Sequence, residues 1–91
     1  MQRRNTILLV DDVEMNRAIL GGLFKDEYHI LEAENGEQAL LLLNEYHSSI
    51  AIMLLDIIMP VKDGYQVLEE IRGNGLLDEV PVIIITADNS V

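Results

Sequence analysis

The feature that most constrains this chain is a short apolar run, Ile50 to Leu55, which ends on Asp56 and is followed by two breakers, Pro60 and Gly64. An apolar run of this length, bounded by turn residues, predicts a strand buried on both faces, as in a parallel sheet covered by helices. Asp56 then stands where the strand gives way to its loop. In open α/β sheets the carboxyl ends of the strands form the edge where ligands bind. A lone aspartate there serves equally well as a cap or turn residue. Its meaning depends on what the other strands bring to the same edge.

Thr6 to Val10 is a second apolar, β-branched run, and it ends in Asp11 and Asp12. Met15, Ala18, Ile19, Gly22 and Leu23 follow at helical spacing and predict an apolar stripe, with Glu14, Asn16 and Arg17 turned elsewhere. Gly21 and Gly22 either weaken the end of this helix or let it pack closely on a neighbour. Tyr28 to Ala33 alternates imperfectly and predicts a more exposed strand. Asn35 and Gln38 form a capping box ahead of a helix over Gly36 to Tyr46, whose leucine run from Leu40 to Leu43 points to the core. Asp63 and Gln66 repeat the box before a helix through about Arg72, with Gly64, Val67, Leu68 and Ile71 as its buried stripe. Asn74 and Gly75 mark its end, and Pro81 opens a last strand over Val82 to Thr86.

The resulting pattern, β-α-β-α-β-α-β, predicts a doubly wound parallel α/β sheet with helices on both faces and strand order 2-1-3-4. Residues 1–91 are expected to be one domain, since no linker, repeat or low-complexity segment interrupts them. The last strand is strongly apolar yet falls at an edge, which points to part of a larger unit. A hydrophobic fraction of 49% supports a core. The net charge of -10 argues against nucleic acid or anionic membranes as direct partners and suits a basic partner or a bound cation. The absence of cysteine excludes disulfide and thiol chemistry. The N-terminal run is too short for a signal peptide and no stretch is long enough to span a bilayer, so a cytoplasmic location is expected.

With strands one and three adjacent, Asp11, Asp12 and Asp56 converge on one pocket at the topological switch point. Crowded like charges call for a cation, and oxygen-only ligands select a hard one such as Mg²⁺. Thr86 adds a hydroxyl at the same edge. Taken singly, Asp12 is as readily a helix cap and Thr86 as readily the last residue of a strand. No glycine-rich phosphate loop follows strand one, so nucleotide binding is not expected. His29 and His47 have no metal-ligand partner at suitable spacing and read as surface residues. Tyr28, Tyr46 and Tyr65 read as amphipathic packing residues.

The segments ILLVDD, LLDIIMP-x-x-DG and VPVIIITA, in this order and spacing, closely resemble bacterial response-regulator receiver domains over essentially the whole chain. The resemblance implies the flavodoxin-like receiver fold and a phosphoacceptor module of two-component signalling, not an enzyme with a separate substrate. It implies that Asp56 accepts a phosphoryl group from a phosphohistidine on a sensor kinase or phosphotransfer protein. Asp12, Asp56 and the backbone carbonyl of Ile58 match direct Mg²⁺ ligands, and Asp11 matches the acid that acts on the metal through water. Thr86 matches the hydroxyl that shifts toward the phosphoryl group, and the backbone N–H of Ala87 a further phosphoryl contact. Met59, Pro60 and Gly64 match the loop that shapes the pocket floor. The side chain of Ile58 is expected to limit water access to the phosphorylated state.

The family pattern continues with a further helix, a fifth strand ending in a lysine, and a last helix. The 91 residues contain only Lys25 and Lys62, and neither matches that lysine. A homodimer, an intertwined assembly or a fused partner is therefore expected to cover the open faces, with an output domain as a further partner. Two other readings are a pseudo-receiver that binds without being phosphorylated and a Mg²⁺-dependent aspartyl phosphatase. The latter wants an acid two residues after its nucleophile, where this chain has Ile58.

Overall fold

Thr6–Val10 forms β1 and Ile50–Asp56 forms β3, and the two pair in parallel at the centre of the sheet. The computed structural model describes residues 4–56, 64–73, 75 and 80–85. Between and after the central strands come α1 (Glu14–Phe24), β2 (His29–Ala33), α2 (Gly36–Tyr46), α3 (Gly64–Gly73) and β4 (Val82–Ile85). The strand order is β2-β1-β3-β4, all parallel, which is the predicted doubly wound arrangement.

Alternation along β1 divides the core in two. Leu8 and Val10 point to one face, where they pack with Ala39 and Leu43 of α2 and Val67 of α3. Ile7 and Leu9 point to the other, against Leu20 and Phe24 of α1. All five residues of β1 are buried, as expected for a central parallel strand. β3 is less regular. Thr6 pairs with Ile50 but Ile7 pairs with Ile52, so Ala51 is an extra residue that shifts the register by one. Beyond it the ladder runs regularly to Val10–Leu55.

Asn35 caps α2 as predicted, its side-chain oxygen accepting the N–H of Gln38 at 2.9 Å. The return bond differs from the usual box. Gln38 Oε1 accepts from the N–H of Glu34 at 3.0 Å, one residue further back. In α3, Val67 is fully buried and Leu68 packs beside it. The burial of Gly64 and the side chain of Ile71, together with Asp63 and Asn74, lie outside what the structure describes. Gly75 adopts φ +75°, the left-handed conformation that lets it end the helix, and its N–H donates to Arg72 at 3.2 Å.

The first helix departs from expectation. Met15, Ile19 and Leu23 are 70%, 59% and 70% exposed, so the stripe read from the sequence does not face the sheet. Leu20, Gly21 and Phe24 do, with a Cβ at Gly21 placed 3.6 Å from Ile30 and 3.7 Å from Leu9. The helix carries two apolar stripes, and periodicity alone does not say which one the sheet selects. Leu41 in the leucine run, Tyr46 and Tyr65 are also exposed, which corrects their placement as packing residues. Ile83 and Ile84 of β4 are half-exposed, as expected of an edge strand. Among the described residues no helix is long and apolar enough to cross a membrane.

Candidate metal centre

The pairing Val10–Leu55 brings the next residue of each strand, Asp11 and Asp56, to the same level of the sheet edge. Asp56 lies level with Ile85 of β4. Asp12 follows on the loop that leads into α1. The structure thus brings three acids together, with carboxylate oxygens of Asp11, Asp12 and Asp56 all within 4.8 Å of one another. Asp11 and Asp56 are 7% exposed, whereas Asp12 is open to solvent. Asp11 and Asp56 border a cleft of about 250 Å³ whose other walls are Asn16, Ile19, Leu20 and Ile85. Thr86, Ala87 and Ile58, the other residues expected at this site, lie outside the described residues, as do Met59 and Pro60.

Asp11 is held on every side. Its N–H donates to the carbonyl of Ala33 at 3.1 Å, tying the end of β1 to the end of β2. Its Oδ1 accepts the N–H of Val13 at 2.9 Å, and its Oδ2 accepts from Asn16 Nδ2 at 3.3 Å. Its carbonyl accepts from Arg17 Nη1 at 2.7 Å. Arg17 is braced in turn by its Nε, which donates to Glu32 Oε1 at 3.0 Å. The N-cap position of α1 is Val13, which has no side-chain cap, so Asp12 does not cap the helix. The turn into α1 is made by Asp11.

Helical spacing turns Asn16 and Arg17 away from the apolar stripe. Asn16 lines the cleft and donates to the Asp11 side chain, while Arg17 reaches the main chain of Asp11. A polar pair five and six residues after a strand-end aspartate, one turn into the following helix, is the signal that marks them.

Two unit charges 4 Å apart repel by roughly 1 kcal/mol in water and about 4 kcal/mol at an effective dielectric constant near 20. Three neighbouring carboxylates therefore favour a cation among them. All the donors are hard oxygens, which suits Mg²⁺ or Ca²⁺ and not a soft metal. Two oxygens on one Mg²⁺ lie at most about 4.2 Å apart. The observed spread is close to that, so the three carboxylates lie near enough to share one hard cation.

The family model for the response regulator receiver domain matches residues 7–91. The transcriptional regulatory protein CpxR of Klebsiella pneumoniae is 41% identical over 87 residues, 94% of this chain and 35% of that protein. A probable cyclic di-GMP phosphodiesterase of Vibrio cholerae is 38% identical over 85 residues, 93% of this chain and 19% of that protein. A response regulator receiver protein from Pseudomonas putida superposes with a TM-score of 0.85 at 26% identity, covering 99% of this chain and 74% of that one. The response regulator TrrA of Thermotoga maritima, in complex with Mg²⁺-BeF, superposes with a TM-score of 0.79 at 35% identity, covering 93% of this chain and 71% of that one. The chain spans 19% of the phosphodiesterase and 62% of the rice response regulator ORR5. With the strand order, the acidic edge and the family match in agreement, the chain belongs to the response regulator receiver domain family.

Proposed function

We propose that residues 1–91 act as one phosphoacceptor receiver module, in which Asp56 takes a phosphoryl group from a phosphohistidine of a sensor kinase or phosphotransfer protein. The observation that carries this reading is the convergence of Asp11, Asp12 and Asp56 within 4.8 Å at the carboxyl edge of the sheet. An oxygen of the Asp56 carboxylate attacks phosphorus as the P–N bond to the imidazole breaks. The electron pair of that bond leaves with the imidazole, and the product is an aspartyl acyl phosphate that water later cleaves. Asp56 is nearly buried and lines the cleft, so its carboxylate would meet a phosphoryl donor inside the cleft and not in open solvent.

Mg²⁺, when bound, cancels charge on the phosphoryl oxygens. Asp12 and Asp56 would hold it directly, with the carbonyl of Ile58, and Asp11 would act through water. The complex of TrrA with Mg²⁺-BeF supports Mg²⁺ as the cation by likeness. Thr86 and the N–H of Ala87 are the proposed phosphoryl contacts. On this reading the module works in the cytoplasm, has no separate substrate, and signals to an output partner. Its exposed α1 stripe favours association with a second copy or with such a partner.

The test is incubation with Mg²⁺ and a small phosphodonor, followed by intact mass and peptide mapping. One phosphoryl group on Asp56, lost in Asp56→Asn, is the expected result. No modification would leave a binding module without phosphorylation. Continued turnover of a phosphoester would make the chain a phosphatase.

A further inference from the structure

We infer that Asn16 and Arg17 are positioning residues that set the cation affinity of the acidic pocket through Asp11. This rests on the reading that Asp11, Asp12 and Asp56 take Mg²⁺. Arg17 lies in α1 yet reaches back six residues to the carbonyl of Asp11, with a 2.7 Å bond, the shortest of those around this residue. Its side chain is only 13% exposed, and Glu32 on β2 fixes its other end. An arginine beside three carboxylates would be expected to pair with one of them. Here its donors go to a main-chain carbonyl and to an acid on a different strand. Its charge is thereby kept off the carboxylates while its fork clamps the loop that carries Asp11 and Asp12.

Asn16 completes the arrangement. Its amide donates to Asp11 Oδ2 at 3.3 Å while the Val13 N–H occupies Oδ1, so each oxygen of the carboxylate is oriented by a donor. Each oxygen keeps a further lone pair for a metal-bound water. Partners of this kind orient a ligand group without touching the ion, and their loss typically weakens metal binding about 10- to 100-fold.

The two explanations for Arg17 differ in sign. If the guanidinium acted only as a nearby positive charge, Arg17→Gln would tighten Mg²⁺ binding, because the pocket becomes more negative. Positioning requires the reverse. Mg²⁺ is titrated calorimetrically into the parent, Arg17→Gln, Arg17→Lys, Asn16→Ala and Asp12→Asn, and thermal melts are recorded in EDTA. Arg17→Gln is expected to weaken Mg²⁺ about tenfold, with Arg17→Lys recovering part of the loss. Asn16→Ala is expected to weaken it several-fold while its melting temperature in EDTA stays at the parent value. Should Arg17→Gln fail to fold, Asn16→Ala carries the test alone. Unchanged or tighter binding in the folded variants overturns the inference. A parent chain that takes up no Mg²⁺, or an Asp12→Asn variant that binds as the parent does, overturns the metal reading beneath it instead.

Discussion

Val10 of β1 lies opposite Leu55 of β3, and each is followed by an aspartate. The pairing would be out of step by one residue without the extra Ala51 near the start of β3. Because side chains alternate along a strand, a one-residue slip would send Asp56 to the opposite face of the sheet from Asp11. The acidic pocket at one end of the sheet thus depends on an irregularity at the other.

Asp12→Asn removes one exposed charge from the cluster and, among the described residues, no hydrogen bond. In EDTA it should raise the melting temperature by about 2–5 °C through relief of repulsion. In saturating Mg²⁺ the order should reverse, because the parent gains stabilisation from the bound ion and the variant gains little. Paired thermal melts with and without Mg²⁺ measure this crossing.

Leu8 is fully buried in the middle of β1, between Leu31 of β2 and Met53 of β3. Leu8→Ala should cost roughly 3 kcal/mol. For a domain of this length, with a stability of order 5–10 kcal/mol, that is a large share. Urea unfolding should show the midpoint falling with little change in slope.

Asn35 is half-buried, and its side chain satisfies a free N–H at the start of α2. Asn35→Ala should cost about 1 kcal/mol, and Asn35→Asp should keep most of the cap. The cap lies in the turn between β2 and α2, so Mg²⁺ affinity should be unchanged in both, which calorimetry checks.

Met15, Ile19 and Leu23 form an exposed apolar stripe on α1. Replacing Met15 and Leu23 with lysine should leave the melting temperature within a few degrees of the parent, since neither side chain is in the core. Sedimentation at rising concentration should show the parent associating and the double variant remaining monomeric. Equal behaviour of the two would remove the stripe from the interface.

Much of the fold was legible from residues 6–56 alone. The Ile50–Leu55 and Thr6–Val10 runs are too short and too apolar to be anything but buried strands in this context. The Asn35–Gln38 pair marks the start of α2 to the residue. The placement of an aspartate at the end of each central strand followed from those runs. In each case the information is local: a cap, a breaker or the length of an apolar run.

Tertiary structure decided three other matters. Every residue from Ile50 to Leu55 is apolar, so the strand has no alternation by which to announce its register, and pairing with β1 placed the extra residue at Ala51. The helix α1 has two apolar stripes, and the sheet took Leu20 and Phe24 and left Met15, Ile19 and Leu23 outside. That choice rotated Asn16 and Arg17 onto Asp11. Register and helix rotation are set by which surfaces meet, and a periodic pattern constrains them only when its two faces differ.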